Sequence, residues 1–264
     1  MKYICMLLFF SLALYSCENN KIINAKALIP LENPAISAYI DVDRKEINVF
    51  ISSITAFEEQ YSFATSLIKN AKVYAKKQDG TIINIPFVKE KYVTSISVTS
   101  GDTIKLFVEW QEKTHIAFTI IPHKVIFNEP VKVEADVYSF KIFNSQKDKL
   151  YYWANKKANN ETQGIGFSLI YPNKNIFAVS DSVTDILAKI TFFDKNLLKK
   201  SPLFLTLNLV SIDKNFYEYQ TISYKNAIDT RGALKNSPSI NNFDNGAIGY
   251  FGSLINTEVK IRIN

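Results

Sequence analysis

Apolar and polar residues alternate with a period of two along most of this chain, the pattern of strands with one buried and one wetted face. Ile47, Val49 and Ile51 stand among Glu46, Asn48 and Ser52, and Ile104, Leu106, Val108 and Trp110 alternate with Thr103, Lys105 and Glu109. Turn chemistry punctuates the runs. Asp79-Gly80 separates Lys72–Lys76 from Thr81–Ile85, Ser100-Gly101-Asp102 separates Tyr92–Val98 from Thr103–Trp110, and both read as hairpins. A further strand runs from Ala117 to Ile121. Short strands at this spacing predict an antiparallel sandwich, immunoglobulin-like or transthyretin-like, over residues 35–121.

Residues 122–130 (PHKVIFNEP) place two prolines around a stretch without period and read as a linker. Beyond it, residues 131–264 predict a second β-rich module, with runs at Val131–Phe143, Leu150–Trp153, Gly166–Tyr171 and Ala188–Phe193. Leu203, Leu205, Leu207 and Leu209 then alternate with Phe204, Thr206 and Asn208. One helix is expected near residues 213–227, because Asp213 can cap it and Phe216, Tyr217, Gln220 and Tyr224 recur at helical spacing. A loop over residues 228–245 and a last strand carrying Val259, Ile261 and Ile263 complete a mainly β chain.

The N-terminus obeys other rules. Lys2, the apolar run Ile4–Tyr15 and the small residue Ser16 before Cys17 make a secretory signal peptide of residues 1–16. The run is too short to span a bilayer, which takes about 20 residues. Leu14-Tyr15-Ser16-Cys17 resembles the bacterial lipobox, in which the cysteine is acylated with palmitate-like chains and becomes the new N-terminus. Residues 17–34 then form the lipidated cysteine and a tether interrupted by Pro30 and Pro34. Of the two cysteines, Cys5 leaves with the leader, so no disulfide framework is expected. Two or more acyl chains anchor durably where one does not. The expected partner is therefore a membrane, reached through acyl chains on Cys17. The formal net charge of +6 includes Lys2, and the remaining excess gathers in no cluster longer than pairs such as Lys76-Lys77 and Lys199-Lys200. Nucleic acid is not an expected partner.

The string Asn245–Gly252 (NGAIGYFG), the segment Leu209–Asp213 leading into Phe216–Tyr219, and the Gly101-Asp102-Thr103 turn ahead of a strand ending at Ile121-Pro122 carry a family resemblance. Together they resemble the Bacteroidetes lipoproteins grouped as domain of unknown function 4249. The resemblance covers most of the chain behind the leader, although Gln146–Asn175 lacks some family landmarks. It implies a lipid-anchored envelope protein, often a neighbour of TonB-dependent outer-membrane transporters, and brings no catalytic residue with it.

The residues themselves offer little chemistry. His115 and His123 are the only imidazoles, too few for a three-histidine metal site, and read as surface or linker residues. Nucleophile elbow, zinc-protease and phosphate-loop motifs are absent from the sequence. Gly246, Gly249 and Gly252 do not make a dinucleotide fingerprint and suit positive φ and close packing. Asp41-Val42-Asp43 reads as a turn rather than a calcium loop. Tyr151-Tyr152-Trp153, if extended, puts Tyr151 and Trp153 on one face and Tyr152 on the other, so one face can present aromatic rings to a sugar or partner. Asp181-Ser182-Val183 and Asp102-Thr103-Ile104 match a short O-glycosylation acceptor, making Ser182 and Thr103 candidate acceptors.

No catalytic residue, metal or cofactor is assigned. The reading is a non-enzymatic, lipid-anchored binding or accessory subunit near an outer-membrane transporter, facing either the periplasm or the medium. The rivals are a glycan hydrolase using a carboxylate pair and a structural or adhesive surface module.

Overall fold

The computed structural model describes residues 33–53, 66–145, 149–157, 164–172, 174–193, 203–228 and 241–263. Strands β1 (Pro34–Asp41), β2 (Glu46–Ser53), β3 (Lys72–Lys77), β4 (Ile82–Asn84), β5 (Phe87–Val88), β6 (Lys91–Ser95), β7 (Thr103–Trp110) and β8 (Lys113–Ile120) come first. Next come β9 (Ile126–Phe127), β10 (Val131–Lys132), β11 (Val137–Phe143), β12 (Leu150–Lys156), β13 (Ile165–Tyr171), β14 (Ile176–Val179), β15 (Val183–Phe192) and β16 (Phe204–Ile212). Helix α1 (Lys214–Ile228) and β17 (Ile248–Arg262) close the chain. The protein is mainly β, as its alternating pattern predicts.

Three sheets enclose two cores. A four-stranded sheet, β4-β3-β7-β8, packs on one half of an eight-stranded sheet, β14-β12-β16-β17-β1-β2-β6-β5, and a second sheet built on β10-β11-β15-β13 packs on the other half. The first core gathers Ile36, Ala38, Ile40, Val73, Leu106 and Val108; the second gathers Phe140, Tyr152, Ile186, Leu207 and Ile261. Strand period and buried face agree throughout. In β1, Ile36, Ala38 and Ile40 are fully buried while Ala35, Ser37, Tyr39 and Asp41 are only half covered.

β17 joins the two sandwiches. Its first half lies parallel to β1, from Ala35↔Ile248 to Asp41↔Leu254, and its second half lies antiparallel to β16, from Ile212↔Leu254 to Phe204↔Arg262. Phe251 and Ile255 therefore fill the first core while Val259, Ile261 and Ile263 fill the second. This corrects the division at residues 122–130 in one respect. Residues 131–264 are not one module, because Phe243, Ala247, Phe251 and Ile255 return to the first core. The first sandwich consequently contains a parallel pair and is not purely antiparallel.

One local expectation also changes. Ser100-Gly101-Asp102 is not a hairpin turn, because β6 pairs with β2 and β5 whereas β7 pairs with β3 and β8. The turn carries the chain from one sheet to the other, with the Thr99 N–H donating to Asp102 Oδ2 at 2.7 Å. The Asp79-Gly80 hairpin joins β3 and β4. In the glycine string, Gly246 lies in the turn before β17, and Gly249 and Gly252 lie in the strand itself. At Gly249, with φ +134°, a Cβ would stand 1.8 Å from the Ile36 carbonyl oxygen, so any side chain would force β1 off β17.

Candidate functional site

The densest convergence of buried polar side chains lies where β16 ends and α1 begins. Asp213 caps the helix: its Oδ1 accepts the Phe216 N–H at 2.8 Å, and its carbonyl accepts the Tyr217 N–H at 3.0 Å. The Asp213 N–H donates to the Ser253 carbonyl of β17 at 3.2 Å. Its other carboxyl oxygen, Oδ2, meets the Thr119 hydroxyl of β8. Thr119 Oγ1 lies 2.9 Å from Ser253 Oγ, which donates to the Ile120 carbonyl at 3.0 Å. Gly252 leaves the room for this: a Cβ there would stand 2.9 Å from Phe216 Cβ and 3.0 Å from Asp213 Oδ1.

Asp213–Thr119, Thr119–Ser253 and Ser253–Ile120 are three contacts, and the two hydroxyls supply two hydrogens. Thr119 donates to Asp213 Oδ2 and Ser253 to the Ile120 carbonyl. Burial disfavours the charged form of this carboxyl. It lifts the Asp213 carboxyl to about 6, against the lowering effect of the Thr119 and backbone hydrogen bonds.

Beside this node the free edge of β8 is closed by side chains. Asp244 Oδ1 accepts the Ile116 N–H, and the Asp244 N–H donates to the Ile116 carbonyl at 3.0 Å. Asn245 Nδ2 donates to the Thr114 carbonyl and Asn215 Nδ2 to the Phe118 carbonyl. Asn242 acts as a third strand would: its Oδ1 accepts the Phe251 N–H at 2.8 Å and its Nδ2 donates to the Phe251 carbonyl at 2.8 Å. His115, expected on the surface or in the linker, is fully buried here, with Nδ1 3.4 Å from the Asp244 carbonyl; His123 is exposed. His115 lies on the inward face of an edge strand that the loop covers, which its local sequence does not reveal.

The remaining candidates are scattered. Tyr151 and Trp153 do share one face of β12, but α1 covers it. Tyr151 lies 4.6 Å from the Tyr217 ring, and both residues pack into a cluster with Val210, Ile212, Phe216 and Tyr250. Tyr152 faces the second core, where burial pushes its phenol up to about 12. The trio thus presents no open aromatic face. Ser182 stands exposed before β15, whereas Thr103 is half-buried at the start of β7. Cys17 lies outside the described residues. Asp41 and Asp43 are engaged by the Arg44 and Asn256 N–H groups, as a turn requires. No group of three or more potential metal ligands occurs among the described residues. An open depression of about 270 Å³ lies over Tyr92, whose hydroxyl is already engaged by the Ile68 carbonyl and the Ala71 N–H.

A family model for a domain of unknown function, DUF4249, matches residues 34–259, nearly the whole of the described chain. The chain belongs to the DUF4249 family. The match spans both sandwiches, the Asp213 node and all but the last residues of β17. No curated protein sequence matches this DUF4249 chain. Among solved structures it is similar to a two fibronectin type-III domain segment from chicken tenascin, at 8% identity and a TM-score of 0.22, covering 88% of this chain and 99% of that one. It is also similar to Escherichia coli alpha-2-macroglobulin activated by porcine elastase, at 8% identity and a TM-score of 0.23, covering 87% of this chain and 22% of that one. Both TM-scores are too low to define a shared arrangement, and the sandwich assignment rests on the sheets themselves.

Sequence reasoning found Asp213 as a helix cap and missed Thr119, Ser253, Asn242 and Asp244. The only available signal was the polar density of Asn241–Asn245, which reads as loop.

Proposed function

We propose that this DUF4249 chain is a Bacteroidetes envelope lipoprotein, held to the outer membrane by acyl chains on Cys17, and that it acts as a non-enzymatic binding or accessory subunit beside a TonB-dependent transporter. One observation carries the non-enzymatic part. The richest polar cluster among the described residues is closed inside the joint between sandwiches, with its carboxyl and hydroxyl groups engaged in holding β8, α1 and β17 together. A catalytic constellation would turn such groups toward a cleft. What the fold offers outward is sheet faces and edges, which suit binding. The anchor rests on the signal-peptide layout and Ser16-Cys17.

Affinity purification from gently solubilised membranes tests the reading. The accessory role predicts co-recovery of an outer-membrane transporter with the wild-type chain and its loss with Cys17→Ser, which also moves the protein out of the membrane fraction. Recovery of the wild-type chain alone would overturn the accessory role, and Cys17→Ser remaining membrane-bound would overturn the anchor.

A further inference from the structure

We infer that the outer face of the β4-β3-β7-β8 sheet is a membrane-docking surface that lies on anionic phospholipid headgroups. The register sets Ile82, Lys76, Lys105 and Phe118 in one row across the four strands. Ile82 is 60% and Phe118 53% exposed, with Ile120 51% exposed on the same face. The next row sets Tyr74 beside Phe107, their rings stacked at 4.8 Å. The inner face of this sheet already fills the first core, so both of its faces carry large apolar side chains. Soluble antiparallel sheets ordinarily wet one of them.

The central pair makes the face unusual. Lys76 and Lys105 stand directly opposite on neighbouring strands, an arrangement that repels, and neither has an acidic partner among the described residues. The second outer sheet resolves its charges differently, pairing Lys141 with Asp185 and Lys189 with Asp136. On the four-stranded face the one acidic group, Glu109, is taken by Lys72 at 3.0 Å. Two uncompensated ammonium groups flanked by exposed Ile82 and Phe118 suit a bilayer interface. There the lysines reach phosphates and the apolar side chains enter the headgroup boundary. A nucleic acid would match the charge and leave Ile82 and Phe118 in water. A second copy docked symmetrically would oppose lysine pair to lysine pair.

The described chain begins beside the same sheet, at the other end of β8 from Phe118. Asn33, where the described fold begins, lies 3.4 Å from Lys113 at the start of β8. The chain between Cys17 and that corner can bridge at most about 55 Å. This lets the face reach the membrane while the anchor stays inserted, and the anchor's proximity lets a weak surface contact suffice. The inference rests on the lipid-anchor reading, and the test separates the two.

The acylated full chain is reconstituted with phosphatidylcholine vesicles with and without phosphatidylglycerol, and lysine acetylation is followed residue by residue by mass spectrometry. Docking predicts that labelling of Lys76 and Lys105 falls on anionic vesicles only, by about five-fold per lysine, while Lys141, Lys189 and Lys260 are unchanged. High salt, or Lys105→Glu with unchanged far-ultraviolet circular dichroism, should abolish the protection of Lys76. Co-sedimentation with both vesicles and equal labelling on both overturns the face and leaves the anchor standing. Co-sedimentation with anionic vesicles alone supports the face without the anchor. Failure to co-sediment with either overturns both. Protection that persists without anionic lipid and grows with protein concentration assigns the face to a second copy instead.

Discussion

Hydrogen bonding and burial pull the charge of Asp213 in opposite directions. As the cap of α1 it faces the positive end of a helix, which favours a carboxylate. The hydrogen bond it accepts from Thr119 favours the same form, whereas burial, at 7% exposure, favours the neutral acid. Burial wins, lifting the group to about 6. Unfolded, the same group titrates near 4. Between those values the folded state holds a proton that the unfolded state has released, so this residue's contribution to stability falls as pH rises through that window. Above about 6 it is flat. A two-unit difference is worth about 3 kcal/mol. Asp213→Asn should preserve the cap, since the two residues serve equally well at that position. Its amide can also donate permanently to Thr119. The variant is expected to match the parent near pH 4 and to exceed it by about 2 kcal/mol at pH 7, with the difference opening between the two. Denaturant unfolding of both proteins across that range measures it, and a variant less stable at pH 7 would mean that the carboxylate is the working form.

At the scale of elements, the question is what closes the edge of β8. An open edge strand invites pairing with other chains, and here residues 241–245 answer it with amide and carboxylate side chains rather than with another strand. Asn242 does the same for the open edge of the first half of β17, because it satisfies both polar groups of the Phe251 peptide, whose residue is 0% exposed. Asn242→Ala should cost about 2 to 4 kcal/mol, since a buried donor and acceptor are both orphaned. Thermal unfolding should show it, together with faster amide exchange at Phe251; loss of less than about 0.5 kcal/mol would mean that water replaces the side chain. The same segment shows where the sequence stops being informative. Strand positions from Ile47 to Ile263, and the Asp213 cap, are local matters of period and capping and can be read directly. Partner choice is not local. Nothing in Ser100-Gly101-Asp102 distinguishes a hairpin from a crossing between sheets, and nothing in Val259–Ile263 says that the same strand begins at Ile248 beside β1. The aromatic trio failed for a related reason. Its alternation is as the sequence predicts, yet what covers Tyr151 and Trp153 is a helix some sixty residues further on.

For the whole molecule, β17 turns two cores into one mechanical problem. A chain of two sandwiches joined by a linker would unfold in two steps, each governed by its own core. Here the strand completing the first sandwich continues without a break into the second, and the Asp213 node ties β8 of one to the helix cap beside the other. Melting the second core frees the far half of β17 and removes the support of α1, so the parallel pairing of Ile248–Leu254 with β1 loses its anchor. The two tryptophans report the two regions separately. Trp110 packs against the first core, and Trp153 lies on the β12 face under α1. Single-tryptophan variants Trp110→Phe and Trp153→Phe should therefore show coincident denaturant transitions by fluorescence, each agreeing with circular dichroism of the same protein. Ile261→Ala, a truncation in the second core expected to cost about 2 to 4 kcal/mol, should move the Trp110 signal as far as the Trp153 signal. A Trp110 transition that stays in place while the Trp153 transition shifts would show that the sandwiches unfold independently and that the shared strand transmits nothing.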